Sequence, residues 1–177
     1  MATVGAMDSA EATTALTAAI NGYQMQASDA MSIVDSLTRL DLRFAASAGG
    51  IATALSKVAS VASQVGISLE KMEAILTVTQ DQTQQSAETI GTAWNSILQR
   101  VNNIAAGKDI DDFGESLNNV DKVLKKVGIN LRDEEGQIRN VGEVLDEVAA
   151  SWDTYTRNQQ AQISTAKSLQ ATIYIVA

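Results

Sequence analysis

Apolar side chains recur at every third or fourth position along most of this chain, the spacing that places them on one face of an α-helix. A short helix is predicted from about Ser9 to Ile20. Six further apolar stripes are Met31, Val34, Leu37, Leu40 and Phe44; Ile51, Leu55, Val58, Val61 and Val65; Leu69, Met72, Ile75 and Leu76; Ile90, Trp94, Ile97, Leu98, Val101 and Ile104; Phe113, Leu117, Val120, Val123, Leu124 and Val127; and Val141, Val144, Leu145, Val148, Trp152 and Tyr155. The pattern predicts a mainly α protein of about six or seven helices.

Glycine, rather than proline, separates the predicted helices, since the chain has 11 Gly and no Pro. Glycine readily adopts the left-handed backbone conformation with which many helices end. Gly66, Gly107 and Gly128 each follow an apolar stripe, and Ser68 is a typical N-cap for the helix after Gly66. We therefore expect a helix-turn-helix joint at 65–68. The last helix is expected to continue past Arg157 through Ile163.

One short segment has the two-residue period of a β-strand instead. Residues 129–132 and 137–140 alternate apolar and polar side chains, and the acidic residues and glycine at 133–136 are typical of a turn. The segment therefore predicts one small β-hairpin near 129-139. Because two strands alone are marginal in water, the helix that begins near Val141 is expected to support it.

These elements divide the chain into four predicted segments. They are an N-terminal weak helical segment (1-27), a helical segment (28-107), a helix-hairpin-helix module (108-164) and a divergent tail (165-177).

Large apolar side chains on helix faces pack in the core by default and contact partners less often. The residues expected to provide packing or partner contacts are Trp94, Leu98, Ile129, Leu131, Ile138 and Trp152.

Composition excludes several classes of chemistry. The chain of 177 residues has no His and no Cys, which excludes Ser-His-Asp and Cys-His nucleophiles, thiolate or imidazole zinc sites and disulfides. Thirteen Lys and Arg against 21 Asp and Glu give a formal net charge of −8, which would repel a phosphate backbone. No window approaches the roughly 18 apolar residues of a membrane span. We therefore expect no cofactor, no direct nucleic-acid binding and no membrane span in this stretch.

Carboxylates are the remaining acid-base groups, and their densest cluster is Asp109, Asp111, Asp112 and Glu115. Carboxylates at the start of a helix interact favourably with its dipole, which explains the cluster without catalysis. The string from Asp109 begins like a calcium loop, but Val120 stands where an EF-hand requires a bidentate Glu. We therefore expect no metal site, no catalytic residue and no enzymatic activity.

Four motifs follow one another along the chain. They are VGISLE at 65–70, GTAW at 91–94 with Leu98, VGINLRDEEGQIR at 127–139, and VLDE at 144–147 with Trp152. Their order and spacing resemble the core region of phage tail tape-measure proteins over roughly Ser28 to Ser164. The chain departs from that pattern after about Thr165. The departure and the modest length suggest a fragment or a prophage-derived product.

The resemblance implies a structural virion protein that lies in the lumen of the tail tube, helps set tail length and assists DNA delivery. The implied partners are other tape-measure chains in a homo-oligomer and the tail-tube, tail chaperone and baseplate proteins. The implied location is the virion tail lumen, and the host bacterial cytoplasm during assembly. As one continuous helix the chain would span only about 265 Å at roughly 1.5 Å per residue. We therefore expect a folded module rather than a complete ruler.

Two other classes of protein remain as alternatives. A secreted flagellin-like helical filament or export protein would share the composition, but it would favour long terminal helices with heptads over glycine-separated ones. A peptidoglycan-cleaving module would need a carboxylic acid such as Glu88 or Asp112 in a cleft. Cell-wall lysis by the purified chain, with either residue changed to Ala, would test the second alternative.

Overall fold

A computed structural model describes residues 7–44, 46–106 and 118–165. Within these ranges the chain forms α1 (Ser9–Gly22), α2 (Ala30–Asp41), α3 (Ala48–Gln64), α4 (Leu69–Thr83), α5 (Ala87–Ala105), α6 (Asn118–Lys126), α7 (Val141–Ser151) and α8 (Arg157–Thr165). Short 3-10 turns lie before α2 and after α7. The described ranges contain no β-strand. The predicted mainly α class is confirmed.

Local side-chain hydrogen bonds explain where several helices begin. Asp8 accepts hydrogen bonds from the Ala10 and Glu11 amides at 2.8 Å, and Glu11 accepts one from the Asp8 amide, which forms a capping box for α1. The Ser68 hydroxyl accepts from the Lys71 amide at 3.2 Å, as expected of the N-cap of α4. These bonds satisfy amides that have no partner within the first turn of a helix.

Two of the three glycines predicted to end helices, Gly66 and Gly128, have left-handed backbones. Gly66 has φ +80° and separates α3 from α4, which confirms the predicted joint. Gly128 has φ +83° and follows α6, and the amide of Ile129 after it donates to the Leu124 carbonyl at 3.0 Å. This is the backbone pattern of a Schellman helix end, which a residue with a Cβ would strain.

The chain folds into two compact units. The first contains the described residues up to Gln64 together with Ser68–Asn95, and the second contains Val65–Ile67 together with the described residues from Ser96 onward. In the first unit α1 packs on α3, and α3 also packs on α2 and α4. The buried face of α1 carries only the small side chains Ala12, Ala15 and Ala19.

The second unit has its own apolar core. In this unit α6 packs on α8, and Leu124 of α6 is buried. Buried large side chains of the unit include Leu98, Val101, Ile104, Leu124, Ile129, Leu131, Val141, Val144, Leu145, Val148, Trp152 and Ile163. The predicted apolar stripes of α5 and α7 therefore supply much of this core.

The expectation of six or seven helices is wrong for the last part of the chain. The segment predicted as one helix through Ile163 breaks at the 3-10 turn Trp152–Thr154, and Tyr155 has an extended backbone. Thr156 starts α8, because its hydroxyl accepts from the Gln159 amide while its own amide donates to the Gln159 side chain. A Thr and a Gln three residues apart form a capping box that apolar spacing alone does not reveal.

The predicted β-hairpin near 129-139 is also wrong. The chain does reverse there, but the only ladder contact of the described segment is an isolated antiparallel bridge between Arg132 and Ile138. The returning arm has no room to extend, since Asn140 is already the N-cap of α7. The acidic turn at 133–136 is therefore the tip of a tight loop rather than of a two-stranded ribbon.

The apolar stripe predicted for α2 is rotated in the structure. The buried residues of α2 are Ile33 and Leu37, whereas Met31 and Phe44 are exposed. The helix contacts both α3 and α4 through its buried side. Spacing alone could not choose between these faces, because α2 carries apolar residues on both.

Candidate functional site

Trp94 is a core residue of the first unit. Its indole ring is 1% exposed, and its Nε1 donates to the Thr79 hydroxyl at 3.1 Å. That hydroxyl in turn donates to the Ile75 carbonyl at 2.7 Å, so the only polar atom of the indole is satisfied inside α4. Leu98, one turn further along α5, is fully buried in the second unit. In this structure neither side chain is available at the surface.

The loop after α6 places Ile129 and Leu131 in the core of the second unit. Both are buried, and Ile138 across the bridge from Arg132 is half-buried. The Arg139 amide donates to the Leu131 carbonyl at 3.0 Å, which holds the returning arm against the outgoing one. The alternation seen in the sequence thus reflects alternate burial of an irregular loop.

Arg132 fastens the tip of this loop. Its Nη1 donates to the Gly136 carbonyl and its Nη2 to the Ile104 carbonyl, both at 2.8 Å. Gly136 has φ +80°, which suits the turn. The planar guanidinium group can reach both acceptors at once, which an ammonium group could not do with the same geometry.

An open depression of about 730 Å³ lies beside the loop. It is lined by Lys125, Asn130, Arg132, Asp133, Glu134, Glu135, Gly136 and Arg139. Lys125 forms an ion pair with Asp121 at 2.7 Å, and Arg139 forms one with Glu147 that lowers the pKa of that carboxyl through its hydrogen bond. Equal numbers of cationic and anionic side chains line the depression, so its charge favours no ion of either sign.

Trp152 is buried at the start of the 3-10 turn after α7. Its ring meets that of Tyr155 edge to face, with ring centroids 6.2 Å apart and planes at 80°. The Gln160 side chain of α8 donates to the Trp152 carbonyl at 3.0 Å. These contacts join the end of α7 to α8, which places Trp152 in the packing of the second unit.

Asn140 links two motifs that are far apart in the sequence. Its Oδ1 accepts from the Gly142 amide at 2.8 Å as the N-cap of α7, and its Nδ2 donates to the Gly66 carbonyl at 2.7 Å. The Val141 amide also donates to the Val65 carbonyl, at 3.4 Å. One amide side chain therefore caps a helix and holds the 65–67 segment, a role that the sequence motifs did not reveal.

Glu73 is the buried acid that sequence reasoning missed. Its side chain is 1% exposed, the Ser36 hydroxyl donates to Oε2, and Oε1 has no hydrogen-bond partner among the described residues. Burial raises its pKa to about 7, the Ser36 bond lowers it in part, and Glu70 raises it. The signal was present, since Glu73 lies four residues after Leu69 on the buried face of α4.

Tyr23 lies close to this acid. Burial raises the pKa of the Tyr23 phenol, and the charges of Glu73 and Glu70 raise it further. Its hydroxyl donates to the Ser68 carbonyl at 3.5 Å. The arrangement holds one carboxyl in the interior, and the neighbouring carboxylate, Glu70, is exposed.

Several features named from the sequence fall outside the described residues. They are the predicted helix end at Gly107, the stripe residues Phe113 and Leu117, the acidic cluster Asp109, Asp111, Asp112 and Glu115, and the divergent tail from residue 166 onward. Across 7–44, 46–106 and 118–165, no three acidic side chains are grouped so that they could hold a metal ion. No helix in those same ranges is both long and apolar enough to cross a bilayer.

The fold and these contacts define an α-helical protein in which most large aromatic and aliphatic groups pack internally, while Met31, Leu42 and Phe44 are exposed. Comparison with known families places it further: residues 1–166 match the phage-related minor tail protein family. The chain belongs to this family, which makes it a structural component of a phage tail. No solved structure matches the chain.

Proposed function

We propose that this chain is a non-catalytic, folded module of a tape-measure protein, which occupies the tail tube, helps set tail length and assists DNA delivery. The observation that carries the proposal is the family match over residues 1–166. The order of the motifs at 65–70, 91–94, 127–139 and 144–147 supports the tape-measure assignment within that family.

The geometry favours a folded module over a linear ruler. The longest described helix, α5, has 19 residues and spans about 28 Å at roughly 1.5 Å per residue. In the first unit α1, α2 and α4 all pack on α3, so the helices of this unit do not lie end to end along one axis. Any contribution to tail length therefore comes from packed units rather than from one extended helix.

Charge is compatible with a position beside passing DNA. The formal net charge of −8 repels a phosphate backbone, so the surface would not retain DNA during its passage. The proposed partners are further copies of the chain and the tail-tube, tail chaperone and baseplate proteins. The proposed locations are the tail lumen of the virion and, before assembly, the bacterial cytoplasm.

Tail length in a mutant phage tests the proposal. An in-frame deletion of residues 7–165 should give tails that are shorter or irregular in length under electron microscopy, with reduced DNA delivery. A fully extended helix of that length would shorten the tail by about 240 Å, and a folded module by less. A phage with the exposed substitution Glu134→Gln is the control. Unchanged tail length together with unchanged infection would overturn the proposal.

The absence of catalysis is tested separately. The purified chain should release no fragments from bacterial cell walls, and neither Glu88→Ala nor Asp112→Ala should alter that result. Cell-wall cleavage that either substitution abolishes would establish a peptidoglycan-cleaving module instead.

A further inference from the structure

The outer face of α2 exposes large apolar side chains. Met31 is 67% exposed and Leu42, just after the helix, is 80% exposed, while Phe44 beyond the turn is 42% exposed. At about 100° per residue, Met31 and Leu42 lie within about 20° of each other around the helix axis. The opposite side of α2 is the one that packs in the core, through Ile33 and Leu37. The exposed apolar residues are therefore additional to those the fold uses.

Two opposite charges lie between these apolar residues on the same face. Asp35 follows Met31 by one turn, Arg39 follows Asp35 by one turn, and both are exposed. In the described part of the chain, neither the Asp35 carboxylate nor the Arg39 guanidinium has a hydrogen-bond or ion-pair partner. The face thus carries an apolar residue at each end and one unpaired charge of each sign in its middle.

This pattern is complementary to itself when the helix is reversed. In an antiparallel two-fold pair of helices, the numbers of two residues that face each other always add up to the same value. This value is 73 when Met31 faces Leu42 of the second copy. Asp35 then faces Thr38 and lies beside Arg39 of the second copy, and the same contact is made twice. A parallel pair would instead place Asp35 beside Asp35.

We propose that the outer face of α2, formed by Met31, Asp35, Arg39 and Leu42, binds the same face of a second copy in antiparallel orientation. The pairing identifies the surface through which copies of the chain would contact each other in a phage tail, and its role there rests on the proposed function. A helix of 12 residues is only about 18 Å long, so the buried area falls below the roughly 1,200 Å² of a standard interface. The pairing is therefore weak in dilute solution and strengthens where copies are held together.

Reciprocal charge reversal tests the pairing on the purified full chain. Sedimentation equilibrium should show weak dimers of the unaltered chain that are populated only at high chain concentration. Asp35→Arg or Arg39→Asp alone should weaken dimers about tenfold, because two like-charge contacts replace two opposite ones. The double variant should restore the affinity to within about threefold, since every contact regains opposite signs. Leu42→Ser should remove most of the association.

Matched controls change the same charge elsewhere. Glu134→Arg has the charge change of Asp35→Arg, and Lys57→Glu has that of Arg39→Asp; both positions are exposed and lie off this face. Neither control should change the dissociation constant, and circular dichroism should show unchanged helicity for all variants. A monomeric chain at 1 mM, or single reversals that match the controls, would overturn the pairing, as would a double variant that stays as weak as the singles. Such results leave the tail-length experiment unaffected, whereas unchanged tails with intact dimers would overturn only the proposed function.

Discussion

Removal of the buried charge at Glu73 is expected to stabilise the protein above neutral pH. Glu73→Gln keeps the shape and an acceptor oxygen for the Ser36 hydroxyl, but it cannot ionise. The carboxyl is buried, and its Oε1 accepts no hydrogen bond among the described residues, so its charged form is poorly compensated in the folded state. In the unfolded chain water solvates the same charge.

The sign and size follow from the raised pKa. The pKa of the Glu73 carboxyl is about 4.5 in the unfolded chain and about 7 in the folded protein, mainly because burial disfavours the charged form. Its favourable contribution to stability is therefore fully present below pH 4.5 and is lost as the pH rises through 7. A difference of roughly 2.5 pKa units corresponds to about 3 kcal/mol, and about 2 kcal/mol of this falls between pH 5.5 and 8.5.

Urea denaturation followed by circular dichroism measures this difference. The free energy of unfolding of Glu73→Gln, relative to the unaltered chain, should rise by about 2 kcal/mol from pH 5.5 to pH 8.5. The lower pH remains above the isoelectric point of about 4.5, where the chain would associate and precipitate. Comparison of the two proteins at each pH cancels the titration of the other carboxyl groups.

Glu88→Gln is the control, because Glu88 is an exposed carboxylate and, unlike Glu70, it does not contribute to the raised pKa of Glu73. It removes the same formal charge without removing a buried one, so its stability difference should depend only weakly on pH. If the Glu73→Gln difference were also independent of pH, or if the variant were less stable than the unaltered chain at pH 8.5, the reasoning would be refuted. Ser36 and its neighbours would then solvate the charged form adequately.

Two further predictions concern packing and capping. Gly22→Ala should destabilise the first unit by about 1–3 kcal/mol in urea denaturation, since the added Cβ would lie 2.6 Å from the Ala59 Cβ. The control Asn21→Ala, at an exposed position, should be neutral or mildly stabilising. Asn140→Ala should lose about 1–2 kcal/mol, and Asn140→Asp about half of that, because Asp keeps the cap but cannot donate to the Gly66 carbonyl. An Asp variant as stable as Asn would show that the bond to Gly66 contributes nothing, and a neutral Gly22→Ala would show that α1 and α3 can separate freely.

The successful sequence predictions depended on local signals. The stop at Gly66 and the N-cap at Ser68 involve only residues within a few positions of each other, and both are confirmed. The predicted hairpin failed at the same scale, because Asn140 begins α7 and ends the returning arm before a ladder can form. A Thr156–Gln159 capping box, readable in the sequence, would have separated α7 from α8.

The features of the site that the sequence did not predict depend on distant contacts. Asn140 lies 74 positions from Gly66, and Ser36 lies 37 positions from Glu73, so neither pair leaves a local pattern. The choice of buried face on α2 is of the same kind. Ile33 and Leu37 turn inward because α3 and α4 pack on that side, and Met31 and Leu42 are consequently left outside.

The sequence by itself therefore determined the helical class, the glycine joints and the poverty of catalytic groups, because helix periodicity, backbone freedom and side-chain chemistry are properties of short stretches of chain. Only the tertiary structure decided that the Glu73 carboxyl is buried, that the Asn140 side chain donates to the Gly66 carbonyl, and that Met31 and Leu42 are left exposed on α2. Burial and long-range hydrogen bonding depend on which helices and loops pack together, and no local sequence pattern shows which of them do so.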